Sequence, residues 1–114
     1  MLTIEKRGQS RVPFSQTVEY YSWDQRKTAT AQEISGDGMF LRADEVLPEG
    51  SMLTLRIRLP ASPRTFTALG RVTHVVLGGA TLRRGMGIHF LDVAPRDRDA
   101  ILAYVAARPR LMAA

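Results

Sequence analysis

Met52 to Leu59 constrains this chain more than any other stretch. Leu53, Leu55, Ile57 and Leu59 alternate with Thr54, Arg56 and Arg58, the period of two that gives a strand one dry face and one wet face. Gly85-Met86-Gly87-Ile88-His89-Phe90 repeats the pattern with Met86, Ile88 and Phe90 on one side. Phe66 to Leu77 alternates more loosely, and Gly70 marks a bulge or bend within it. Thr17 to Trp23 sets Val18, Tyr20 and Ser22 against Glu19, Tyr21 and Trp23 on opposite faces. Asp24-Gln25-Arg26-Lys27 reads as a polar turn, Thr28 to Ile34 as the returning strand, Ser35 to Gly38 as a second turn and Met39 to Arg42 as a further strand. Short strands in series define an all-β domain. Six or seven of them close into a small antiparallel barrel, because closure removes exposed strand edges.

The period changes near the end. Pro95 suits the first turn of a helix, and Asp97 and Asp99 suit its positive N-terminal end. Ile101, Leu102 and Val105 form an apolar stripe with Ala106 beside it, Arg108 favours the C-terminal end, and Pro109 stops the helix. The 114 residues therefore divide within one domain into an N-terminal arm (1–11), a barrel (12–92) and one C-terminal helix (93–109).

Several functions are argued against. There is no cysteine, hence no disulfide and no thiolate metal site. His74 and His89 each stand alone, so no metal site is expected, and both are placed on outer strand faces. Ser35 has no nucleophile-elbow context and no nearby base. Gly78-Gly79 lacks a following lysine and reads as a turn. No catalytic residue emerges, and an enzyme is not expected. Trp23 with Tyr20 and Tyr21 reads as core or barrel-end packing, with a stacking platform as the alternative. Met1 to Ser10 lacks a long apolar run, and no stretch is apolar enough to span a bilayer, so a cytoplasmic protein without membrane contact is the expectation.

Charge points to an anionic partner. The net charge is +5, and arginine supplies nearly all of the positive side. Arginine forks match phosphate oxygens and guanine edges in two-point contacts. Between Glu49 and Asp92 there is no acidic residue, yet Arg56, Arg58, Arg64, Arg71, Arg83 and Arg84 lie there.

Two short motifs give that charge a direction. Arg7-Gly8-Gln9-Ser10-Arg11 is an R-x-x-x-R element just before the first strand, and Glu33-Ile34-Ser35-Gly36-Asp37-Gly38 is an x-x-S-x-x-G turn between the second and third strands. With the Gly-x-Gly-Ile-x-Phe strand and the closing helix, this order resembles the PilZ domain, a family of small bacterial receptors for cyclic di-GMP. The resemblance implies that Arg7 and Arg11 clamp phosphate and the O6/N7 edge of guanine, that Ser35 offers a hydroxyl, and that Gly38 lets the backbone come close. Glu33 stands where the family has Asp or Asn to accept from the guanine edge; it keeps the carboxylate and adds one methylene. Asp37 either caps the amides of its own turn or substitutes as that acceptor. No cofactor is implied beyond this ligand. The arm is expected to order on binding, passing the signal by contact to an effector protein in motility, pili, surface polysaccharide or biofilm behaviour. Two other readings stand beside it: a domain that has lost the ligand and serves as a protein–protein interaction module, and a basic barrel that binds nucleic acid. The scarcity of aromatics between the arginines argues against nucleic acid.

Overall fold

Alternating apolar residues in six consecutive strands have one place to go, the inside of a closed barrel. The computed structural model of the protein describes residues 11–60, 62–78 and 84–108. Six strands, β1 (Val12–Ser22), β2 (Gln25–Ile34), β3 (Gly38–Arg42), β4 (Met52–Arg58), β5 (Thr65–Val76) and β6 (Gly85–Val93), precede one helix, α1 (Pro95–Ala106). They close in the order β1-β2-β3-β6-β5-β4, every neighbouring pair antiparallel. The β1–β4 seam, with Tyr20 opposite Leu55, completes the ring.

The inward set follows the alternation. Leu53, Leu55, Ile57 and Leu59 are all buried, as are Val18 and Tyr20 from β1 and Met86, Ile88 and Phe90 from β6. Each such side chain is worth about 1.5–3 kcal/mol of transfer free energy, and together they form one core. The bend expected at Gly70 is present: the β5–β6 register shifts between Leu69 and Gly70, where Leu91 has no partner.

The helix seals one end. Ile101 is fully buried, and Tyr104 meets Phe14 edge to face at 5.6 Å between ring centroids, a geometry the aromatic quadrupole favours. The stripe differs from the sequence expectation. Asp97 and Ile101 are the buried helix positions, Tyr104 and Val105 pack against the core, and Leu102 lies outside the core, 39% exposed. Barrel curvature decides this, because a rounded end meets a narrow strip of the helix. Pro109 lies outside the described residues. Among those residues no helix is long and apolar enough to cross a membrane.

At β3–β4 the connecting loop is held by Tyr20 and Lys27. The Tyr20 hydroxyl donates to the Glu45 carbonyl at 3.2 Å, and Lys27 pairs with the Glu45 carboxylate. Burial pushes the Tyr20 phenol above its ordinary pKa, while the hydrogen bond from Lys27 holds the Glu45 carboxyl below its own.

The β1–β2 hairpin corrects two expectations. Ser22 pairs with Gln25, so the turn is the two residues Trp23-Asp24 and not Asp24 to Lys27. Trp23 is not packed at the core or the barrel end; it is 97% exposed. It is also the one non-glycine with positive φ among the described residues, at 60°. A positive φ at the first of two turn residues is the II′ pattern, where glycine is favoured. An L-residue there costs about 1–2 kcal/mol, partly offset by the extra unfolded-state entropy a glycine brings. Trp23→Gly is therefore expected to hold or raise the Tm in thermal unfolding followed by circular dichroism, by up to ~5 °C. A clear fall would show that the indole stabilises the hairpin.

Candidate ligand-binding site

Ala31 and Ile34 are both fully buried, an odd spacing that a regular strand forbids. A bulge reconciles them. Ala31 pairs with Leu41 and Glu33 with Phe40, which leaves Gln32 opposite no residue of β3. On the other side β1 shifts register between Pro13 and Gln16. The extra residue resets the alternation and turns the Glu33 side chain, 29% exposed, to the outer surface at the end of β2.

The turn after Glu33 is built by Ser35. Its Oγ accepts from the amides of Asp37 (3.1 Å) and Gly38 (3.2 Å), and its own amide donates to the Gly38 carbonyl at 2.8 Å. The sequence reading gives the capping of this turn to Asp37; the structure gives it to Ser35, because the serine oxygen sits two and three residues behind the amides it receives. The serine O–H has only a long contact to the Gly38 carbonyl, 3.4 Å. Gly38 has a reason of its own to be glycine: a Cβ there would overlap the Ile88 carbonyl oxygen of β6.

Arg11 enters the barrel against this turn. It immediately precedes Val12, whose partner is Ile34, the residue before Ser35. Its guanidinium Nη1 lies 2.9 Å from Glu33 Oε1. That oxygen is shielded from water, and no aligned hydrogen-bond donor among the described residues reaches it, so its compensation is the arginine charge. The structure thus brings Arg11, Glu33, Ser35 and Gly38 to one corner of the barrel. Arg7 lies outside the described residues, as does the arm of residues 1–10.

A second arginine holds the turn from the other side. Arg98, in the first turn of α1, donates from Nη1 to the Gly36 carbonyl at 3.2 Å, and its Nη2 lies 3.6 Å from Asp37 Oδ1. Asp37 is therefore engaged with the helix, and its carbonyl accepts from the Phe90 amide at 2.7 Å. The neighbouring Asp97 is buried, with Oδ1 2.6 Å from Arg64 Nη2. Sequence reasoning missed Arg98 and the Arg64–Asp97 pair. One signal was visible: an arginine in the positive first turn of a helix opposes the dipole and needs a compensating partner.

His74 and His89 lie exposed on the outer surface, with the His74 ring stacked on Phe40 at 6.1 Å. Among the described residues no group of three or more metal-ligating side chains stands together.

Comparison with known proteins gives this arrangement its class. The PilZ domain model matches residues 5–107, and the chain belongs to the PilZ domain family. Solved structures share its fold, among them the following three. The Bacillus subtilis inhibitor of motility (MotI/DgrA) superposes with a TM-score of 0.76 at 20% identity, covering 86% of this chain and 48% of that one; the chain thus spans about half the length of that protein. The PilZ domain of YcgR from Escherichia coli, solved with c-di-GMP, gives 0.63 at 12% identity over 86% of this chain and 87% of that one. The Borreliella burgdorferi PlzA protein in complex with c-di-GMP gives 0.57 at 15% identity over 97% and 57%. No curated protein matches the sequence.

Two substitutions test the turn. Ser35→Ala removes the acceptor for two amides and is expected to lower stability by about 1–2 kcal/mol. Arg98→Ala frees the Gly36 carbonyl and is expected to cost about 1 kcal/mol. Urea unfolding of each variant measures both; an unchanged midpoint in either would show that the corresponding bonds do not hold the turn.

Proposed function

We propose that this PilZ domain is a receptor for cyclic di-GMP, with Arg7, Arg11, Glu33, Ser35 and Gly38 as its binding residues. The observation that carries the reading is the placement of Arg11 against Glu33 and the Ser35 turn, which puts the second arginine of the R-x-x-x-R element within reach of whatever rests on that turn. The c-di-GMP complexes of YcgR and PlzA support the ligand class.

Binding is an exchange of partners. Arg11 is held by Glu33. Arg11 is 61% exposed, and an ion pair of that exposure contributes no more than about 1 kcal/mol. A phosphate offers the same guanidinium a two-point charge-assisted contact worth about 1.5–3 kcal/mol. The phosphate wins that comparison, and Glu33, once released, accepts from the guanine N–H edge. The Ser35 oxygen remains committed to the turn, and its O–H, only loosely held by Gly38, is the hydrogen it can donate. Arg7 supplies the second clamp. Engagement of both arginines by the ligand then changes the surface seen by an effector protein.

The closed Arg11–Glu33 pair favours a second reading, a ligand-free module whose arm and arginine surface bind a protein constitutively. Isothermal titration separates the two. Saturable heat with cyclic di-GMP that weakens about ten- to a hundred-fold in Arg7→Ala and in Arg11→Ala is the expected result. No heat at high micromolar ligand removes the receptor reading. Glu33→Asp is expected to tighten binding, since the shorter carboxylate competes less for Arg11 and restores the acceptor geometry. Weaker binding in that variant would show that the longer side chain is adapted to the pocket.

A further inference from the structure

The hairpin apex at the end of β1 carries two costs that the fold does not explain. Trp23 holds a positive φ of 60°, and its indole is 97% exposed. Glycine would remove both the strain and the exposed apolar surface. An observed outlier of this kind leads from strain to a functional hypothesis.

Its surroundings add the chemistry. Tyr21, two residues before Trp23, pairs with Thr54 of β4, and Met52, two residues from Thr54 at the start of that strand, is itself 45% exposed. The Met52 sulfur takes a long contact from Arg71 Nη2 at 3.9 Å. Arg56 and Arg58 follow along the same outer face of β4 and are exposed. None of Arg56, Arg58 and Arg71 has an ion-pair partner among the described residues. Glu19 is the acidic strand residue on this face and stands directly across from Arg56 in the β1–β4 ladder. It already lies 3.9 Å from Arg26 and accepts from the Tyr21 hydroxyl at 3.2 Å; Asp24 is the other carboxylate nearby, at the hairpin tip.

We propose that the outer face of β1, β4 and β5 is a protein-docking surface, with Trp23 as its anchor, for an acidic partner segment that offers an apolar pocket. Tryptophan, methionine and arginine are the side chains enriched at interface centres. A two-residue turn fixes the backbone from which the indole projects, so little backbone freedom is lost on insertion, which favours an anchor role. Arg58, opposite Thr65, and Arg71, between Met52 and His89, face no carboxylate in register and select the sign of the partner. A single-stranded nucleic acid is a poorer fit, because it stacks on successive aromatics along a basic groove, whereas here one indole stands at the end of an arginine-bearing convex face. The proposal holds whether or not cyclic di-GMP binds, since Trp23 and Arg11 lie at opposite ends of β1.

The test uses the full chain in the cells that produce it. A photo-crosslinking p-benzoylphenylalanine is placed at position 23, and in a control chain at position 99, on the exposed side of α1. Adducts are digested and mapped, and the protein they identify is purified and titrated into the unlabelled chain. Trp23 is the sole tryptophan, so its emission reports the site directly. The expected result is an adduct specific to position 23 that maps to an acidic segment, a blue-shifted emission on titration, and a dissociation constant raised at least ~tenfold by Trp23→Gly and by Arg56→Glu with Arg71→Glu. The Tm of each variant checks that the fold is intact. The proposal is overturned if position 23 gives no adduct beyond the control, if its adducts are nucleic acid, lipid or a second copy of this chain, or if either set of substitutions binds with unchanged affinity.

Discussion

The pairing of Val12 with Ile34 is the contact on which the site depends. It is the last β1–β2 rung at this end of the barrel. Because β1 runs antiparallel to β2, the residue that enters β1 meets the residue that leaves β2. Arg11 is thereby delivered to Glu33 and to the Ser35 turn without any long-range search. With β1 held by β4, a one-residue slip of this register would invert the facing of β2 and carry Glu33 into the core.

The turn is gripped from two directions, and the grips differ in kind. Ser35 holds it from within, through two amide hydrogen bonds. Arg98 holds it from the helix, through the Gly36 carbonyl and the Asp37 carboxylate. The internal bonds are local and persist as long as the turn exists. The helix contact links elements 62 residues apart, so it exists only once the barrel end is capped. A ligand resting on the turn would therefore press on a piece of backbone tied directly to α1. Charge organises both ends of the arrangement: Arg11 faces Glu33, Arg98 faces Asp37, and Arg64 faces the buried Asp97. The remaining arginines of β4 and β5 have no such assignment among the described residues, and they set the electrostatic character of the opposite surface.

Much of the fold was legible because a strand has a strict period. Leu53, Leu55 and Ile57 announce an inward face, and Met86, Ile88 and Phe90 announce another. The R-x-x-x-R and S-x-x-G elements were visible as well, and their order along the chain pointed to the family that the residue 5–107 match establishes. Less was legible where period fails. Nothing in Ala31-Gln32-Glu33-Ile34 announces a bulge, since the sequence does not show which residue will lack a partner. Trp23 read as a packing residue because its size favours burial, and no local rule says that a hairpin apex will hold it in solvent at positive φ.

Composition and pattern alone thus determined an all-β chain with a helical end, a surplus of arginine and two motifs in a given order. These are local properties, set by which side chains repeat at which spacing. Tertiary structure alone decided that Arg11 closes on Glu33, that Ser35 and not Asp37 builds the turn, that Arg98 ties the turn to the helix, and that Trp23 stands in water. The Arg11 and Arg98 contacts depend on strand register and on the docked helix, which join residues distant in sequence; the Ser35 turn and the Trp23 apex are local geometries that residue type alone did not reveal.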